Sequence, residues 1–178
     1  MFIDYTKAFD SVDQEMIWAT LSKYTDINSS YINILAKMYE HTRTRIRTDL
    51  GITRMINILR GVKQGDLASA VLFCIVLMVI LIETFEGLES GIQLGGNCMT
   101  DIDYADDAAI MTVTIAEMNI VSNKLHTISK KYGLSINFKK TKAMLIGNHA
   151  ASDGTIPLIQ IDNNNIDVVS KFEHLGRI

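Results

Sequence analysis

Two adjacent carboxylates, Asp106 and Asp107, sit in the tetrapeptide Tyr104-Ala105-Asp106-Asp107, between two short apolar runs. Met99-Thr100-Asp101-Ile102-Asp103 precedes it and Ala108-Ala109-Ile110-Met111-Thr112-Val113 follows. That pattern predicts a β-hairpin with the acidic pair at its tip. Carboxylates this close repel one another unless a cation lies between them, and all-oxygen ligand clusters suit hard divalent ions such as Mg²⁺. Asp4, in the strand-like run Phe2-Ile3-Asp4-Tyr5, offers a third carboxylate. Three carboxylates from two strands are the ligand set that two-metal phosphoryl transfer requires.

These residues must be held by a scaffold, and the rest of the chain predicts one. Its 178 residues, 48% hydrophobic, support one core and therefore one domain or part of one. A formal net charge of −3 and a pI near 5.8 argue against a free-standing nucleic-acid binder, which carries a basic excess. The charge is uneven, however. Arg43, Arg45, Arg47, Arg54, Arg60 and Lys63 fall between His41 and Gly65, opposed only by Asp49. Two readings are open there, a strip that holds a phosphate backbone and a solvated hairpin face. Cys74 and Cys98 have no metal-ligand spacing and lie in apolar surroundings. They are expected to be reduced core residues, which fits an intracellular setting, nuclear or cytoplasmic.

Along the chain, a strand over residues 1–5 is followed by a helix capped by Ser11 or Asp13, with Ile17, Trp18, Leu21 and Tyr24 at helical spacing. A second helix follows Ser29-Ser30. In residues 42–59 arginines alternate with Thr44, Ile46 and Thr48, and Asp49-Leu50-Gly51 is a turn, so a hairpin is expected. A glycine-bracketed polar loop, residues 60–66, opens an uncharged apolar stretch over residues 67–82. At about sixteen residues it falls short of a bilayer span and is expected to be a buried core helix. Met118, Val121, Leu125 and Ile128 form the stripe of a later amphipathic helix, with Gly133 as its C-cap. Ile159-Gln160-Ile161 and Ile166-Asp167-Val168-Val169, flanking Asn163-Asn164-Asn165, predict a final hairpin.

Several motifs agree in order and spacing with one family. FIDYTKAFD (residues 2–10), RGVKQGD (60–66), YADD (104–107), GLSINFKKTK (133–142) and FEHLG (172–176) resemble reverse transcriptases, most of all the non-LTR, LINE-type retrotransposon polymerases. The resemblance covers nearly the whole chain. It implies an α+β fold, the palm subdomain of a right-hand polymerase, with an antiparallel sheet packed on helices across residues 1–178. Residues 155–178 resemble the primer-grip hairpin. Asp4, Asp106 and Asp107 are then the ligands of two Mg²⁺ ions, with Mn²⁺ as the alternative, in adding deoxynucleotides to a primer 3′-hydroxyl. Phe9 stands where the family places an aromatic beneath the sugar, against the alternative of a core aromatic at a helix start. Gln64 and Gly65 match residues that line the nucleotide pocket and template, while Arg60 and Lys63 either contact phosphates or keep the loop soluble. Tyr104 resembles the tyrosine beside the primer terminus, against the alternative of a packing aromatic before a turn. Lys140 or Lys142 resembles the basic residue that protonates or neutralises departing pyrophosphate, against that of a solvated lysine-rich loop.

The sequence also departs from the family. Where relatives read Pro-Leu-Ser-Pro after QGD, this chain reads Leu67-Ala68-Ser69-Ala70, and the following helix is almost wholly aliphatic. Fingers and thumb are expected to be missing and to belong to a longer parent polyprotein. The implied partners are an RNA template, a DNA primer and deoxynucleoside triphosphates, with no membrane. Two other readings stand beside the polymerase: an inactive retrotransposon relic serving as an interaction module, and a small membrane-associated protein anchored by residues 67–82.

Overall fold

A computed structural model of the chain describes residues 1–104, 107–147 and 158–172. The chain opens with β1 (Phe2–Ile3) and the single turn α1 (Ala8–Ser11), then α2 (Gln14–Tyr24) and α3 (Ser29–Tyr39). Four short strands follow, β2 (Arg43–Thr44), β3 (Arg47–Thr48), β4 (Gly51–Ile52) and β5 (Ile56–Asn57). The long helix α4 (Leu67–Phe85) leads to β6 (Ile92–Leu94) and β7 (Asn97–Met99). Next come β8 (Asp101–Tyr104), β9 (Asp107–Ile110) and α5 (Ile115–Lys131). The chain then forms β10 (Lys142–Ala143), β11 (Gln160–Ile161), β12 (Asn164–Asn165) and β13 (Asp167–Val168).

Each long helix starts where a short polar side chain satisfies the free N–H groups of its first turn. Asp13 accepts from the backbone of Glu15 and Met16, Asn28 from Ser30, Asp66 from Ala68, and Thr114 from Glu117. The Asp66 cap fixes the start of α4 without a proline in residues 67–70. Tyr39 Oη, 3.0 Å from Ser69 Oγ, ties the end of α3 to the same first turn.

The central sheet has the order β13-β10-β1-β9-β8. β1 lies antiparallel between β10 and β9, and β8 pairs antiparallel with β9, but β13 joins β10 in parallel. The fold is therefore α+β with a largely antiparallel sheet, and the parallel edge departs from the expected all-antiparallel pairing. Strand alternation divides the sheet into two faces. Met1, Ile3, Tyr5, Ala108 and Ile110 are buried in the same core as α2, α4 and α5, with Tyr5 Oη 2.9 Å from Ser129 Oγ. Phe2, Asp4 and Asp107 take the alternate positions and so belong to the opposite face.

Three expectations need correction. The apolar helix is 19 residues long rather than about sixteen, long and apolar enough by length and composition to cross a bilayer. Half of it is buried here against α2 and α5, through residues such as Phe73, Val76 and Ile80, while Leu67, Val71, Met78 and Ile82 are exposed. Cys74 shares that exposed stripe, and Cys98 is exposed on β7; both are free thiols and neither is a core residue. An all-apolar helix has no polar face to announce which side packs, so nothing in its pattern signals that Cys74 points outward.

The final hairpin also differs. Asp162 and Asn163 have φ of 47° and 63°, a two-residue turn of the type that matches strand twist, and Asn164–Asn165 return as β12. Ile166 N–H still donates to the Ile159 carbonyl at 2.9 Å, as the last step of the hairpin, but Asp167–Val168 leave it and join the central sheet as β13. The β11–β12 hairpin is fastened to α5 by Asn119, Asn123, His126 and Lys130, one helical face that reaches Gln160 and Asp162. Of the segment expected to resemble the primer grip, residues 155–157 and 173–178 lie outside the described residues.

Candidate functional site

The registers of β1 explain why its carboxylate meets another. Phe2 pairs with Ala109 and Ile3 with Ala108, so the next antiparallel step sets Asp4 beside Asp107. On the other flank Phe2 pairs with Lys142, and Lys140 two residues earlier brings its Nζ to 3.8 Å from Asp4 Oδ1. Asp4, Asp107 and Lys140 line one cavity of about 270 Å³, together with Phe2, Ile3, Ala108 and Phe172.

Asp4 is held firmly. Its N–H donates to Thr141 Oγ1 at 3.2 Å and its carbonyl accepts from Asn137 N–H at 2.8 Å. Thr141 is fully buried, so the hydroxyl is an internal strut rather than a solvated group. Asp4 Oδ2 is buried and has no hydrogen-bond partner among the described residues. An ionised oxygen left that way is costly unless a cation or donor completes it. The chemistry of the donor set therefore fits a hard divalent ion. Asp106 lies outside the described residues, and among those described no three His, Cys, Asp or Glu side chains form a metal-sized group.

Lys140 and Lys142 separate in the structure. Lys142 pairs with Asp167 at 2.6 Å across β10 and β13, whereas Lys140 is exposed at the mouth of the Asp4 cavity. Tyr104 pairs through its backbone with Asp107 across the hairpin.

The RGVKQGD loop builds a second cavity of about 420 Å³, lined by Arg60, Lys63 and Gln64 together with Asp10, Gln14 and Tyr39. Gln64 Nε2 donates to Asp10 Oδ1 at 2.8 Å. Lys63 Nζ donates to the carbonyl of Met38 and stands 5.0 Å from the Tyr39 ring centre, a cation–π arrangement. Gly65 has φ of +90° with no atom within 4 Å of a hypothetical Cβ, whereas a Cβ at Gly61 would stand 2.8 Å from the backbone of Asp10. Phe9 lines neither cavity. Its ring stacks on Phe73 of α4 at 4.5 Å and packs against the core, as the alternative of a core aromatic at a helix start has it.

Sequence reasoning missed Thr141, Asn137, Asp10 and Phe172. Phe172 stacks on Phe2 at 4.0 Å and closes one side of the Asp4 cavity. All four lie inside the motifs, Asp10 in FIDYTKAFD, Asn137 and Thr141 in GLSINFKKTK and Phe172 in FEHLG, but the contacts through which they act run across the chain and no local pattern encodes them.

Beside the site, β8 is a sheet edge whose Asp101 and Asp103 share one face. Partial burial, followed by the charge and hydrogen bond of Asp101, pushes the Asp103 carboxyl up to about 7. A raised carboxyl favours the folded state while it holds its proton, so this contribution is complete below about pH 4. It is lost as pH rises through about 7. Asp103→Asn is therefore expected to raise the melting temperature above pH 7, by a solvent-screened gain of at most about 1 kcal/mol. The gain should vanish near pH 4. Melting curves from pH 4 to 8 check this, and a gain independent of pH would refute it.

Known proteins share this chain's pattern. The family model described as "Reverse transcriptase (RNA-dependent DNA polymerase)" matches residues 1–177. A Retrovirus-related Pol polyprotein from type-1 retrotransposable element R2 of Popillia japonica is 29% identical over 183 residues, covering 98% of this chain and 25% of the relative. The corresponding polyprotein from type-2 retrotransposable element R2DM of Drosophila melanogaster is 29% identical over 138 residues, 78% of this chain and 13% of the relative. The Transposon TX1 uncharacterized 149 kDa protein of Xenopus laevis is 24% identical over 148 residues, 82% of this chain and 11% of the relative. The chain thus spans a quarter or less of the length of these relatives. With a match along nearly its whole length, the chain belongs to the reverse transcriptase (RNA-dependent DNA polymerase) family, in the non-LTR, LINE-type branch.

Proposed function

We propose that the chain is the palm of an RNA-directed DNA polymerase, which adds deoxynucleotides to a primer 3′-hydroxyl on an RNA template. The observation that carries this reading is the cavity in which Asp4 and Asp107 meet, with one oxygen of Asp4 buried and unpartnered among the described residues. Asp4, Asp106 and Asp107 would hold the two Mg²⁺ ions. When bound, such ions acidify the attacking hydroxyl and neutralise charge on the transferring and leaving phosphates.

The chain's own residues do the rest. Thr141 and Asn137 fix the backbone of Asp4, so its carboxylate is positioned before substrate arrives. Lys140 brings an ammonium to the cavity mouth, where it balances the charge of the departing pyrophosphate or gives it a proton. Gln64, oriented by Asp10, presents its remaining amide hydrogen-bonding capacity to the nucleotide and template, and Arg60 and Lys63 supply positive charge beside it.

Primer extension on an RNA template tests the reading. Mg²⁺-dependent incorporation by the chain, lost in Asp106→Asn, is the expected result. Absence of incorporation, even when the flanking regions present in the relatives are supplied, would overturn it and favour a non-catalytic interaction module.

A further inference from the structure

The antiparallel arm formed by β2, β3, β4 and β5 uses none of its side chains to build the core; every residue from Arg43 to Arg60 is exposed. Its registers sort these side chains into two faces. Arg43 pairs with Asn57, Thr44 with Ile56 and Arg47 with Ile52, while Thr53 N–H donates to the carbonyl of Ile46 at 3.0 Å. Between these pairs Arg45 opposes Arg54 and Met55, a two-against-one bulge. Arg43, Arg45, Arg47 and Arg54 consequently share one face, and Thr44, Ile46, Thr53 and Ile56 the other. Among the described residues none of the four guanidiniums has a carboxylate, hydrogen-bond or ring partner.

We propose that this arginine face is a docking surface for the sugar–phosphate backbone of an RNA–DNA duplex, an inference that rests on the polymerase reading. Charge complementarity carries it. The face holds four guanidiniums unpaired among the described residues, and the arm's one acidic residue, Asp49, sits at the tip. Alternate residues on a strand stand about 6.7 Å apart at a rise of about 3.3 Å per residue, comparable to the separation of successive phosphates on one strand. Arginine's planar fork binds phosphate oxygens in pairs. No aromatic residue occurs in positions 42–59, so the arm offers no stacking platform for unpaired bases, and a duplex backbone fits better than a single strand. The base of the arm leads into the cavity where Thr42 and Ile58 meet Arg60, Lys63 and Gln64, which continues the positive surface toward the candidate nucleotide loop.

The test is salt-dependent binding of a fluorescent RNA–DNA hybrid to the full chain, without Mg²⁺ or nucleotides, so that a chain lacking polymerase activity still reports. The variant R43Q/R45Q/R47Q/R54Q is compared with the parent, with circular dichroism to verify folding. The slope of log K against log salt should flatten by about 3–4, roughly 0.9 for each phosphate that the variant no longer neutralises. Affinity at low salt should fall at least about tenfold. The all-lysine counterpart should keep most of the slope. An unchanged slope would overturn the proposal. So would tighter binding of single-stranded RNA, or binding to anionic phospholipid vesicles in place of the duplex.

Discussion

Asp4→Asn is expected to lower the rate of Mg²⁺-dependent primer extension at least about 100-fold while leaving the fold intact or slightly more stable. The two effects have one origin. Replacing a carboxylate by an amide of the same shape removes a metal-binding charge, and supporting residues one layer further out already change metal affinity or activity about 10–100-fold. The same change relieves repulsion from Asp107, the neighbouring carboxylate in the cavity, and removes the charge from a buried oxygen without a partner among the described residues. Giving up the ion pair with Lys140 matters little, because that pair is 3.8 Å long with a side chain largely in solvent. A second readout is independent of turnover. Mg²⁺ should raise the melting temperature of the parent, since a ligand of the folded state stabilises it, and should do so much less in the variant. Equal extension rates in parent and variant would remove Asp4 from the site.

How much of this can be read from the sequence depends on the range of the interaction. The acidic hairpin and the amphipathic stripe of α5 are local patterns, and β8–β9 and the buried Met118, Val121, Leu125 and Ile128 follow them. Helix caps are equally local, and Asp13 is legible for that reason. The meeting of Asp4 with Asp107 is within reach because both lie on strands with a clear apolar pattern. The choice of Lys140 over Lys142 is not, since Lys142 is claimed by Asp167 on a parallel edge strand that a two-residue turn at Asp162 and Asn163 makes possible. Struts such as Thr141 are invisible for the same reason: their partner lies 137 residues away. The face on which α4 packs is hidden by composition rather than distance, because its aliphatic residues run all the way round.

Gly61→Ala should be the most damaging small change in the RGVKQGD loop, and comparison with Gly65→Ala shows why. Both glycines have φ near the left-handed range, +81° and +90°, which costs a side-chain-bearing residue about 1–2 kcal/mol. Only Gly61 also lacks space. A Cβ there would stand 2.8 Å from the backbone of Asp10, atoms that cannot swing aside as a side chain can, while Gly65 has nothing within 4 Å. Backbone displacement of that kind adds about 1–3 kcal/mol, for a total of about 2–5 kcal/mol at Gly61. The strain would spread along a seam. Gly61 N–H donates to Val12 and Val62 N–H to Phe9, each at 2.7 Å, and Gln14 Nε2 donates to the Gly61 carbonyl at 3.0 Å. These bonds hold the loop against the segment that carries Asp10, so moving Gly61 also disturbs the Gln64–Asp10 hydrogen bond. Denaturant midpoints should therefore fall clearly further for Gly61→Ala than for Gly65→Ala. Equal losses in the two variants would mean that backbone conformation alone, and not the close approach to Asp10, requires glycine at position 61.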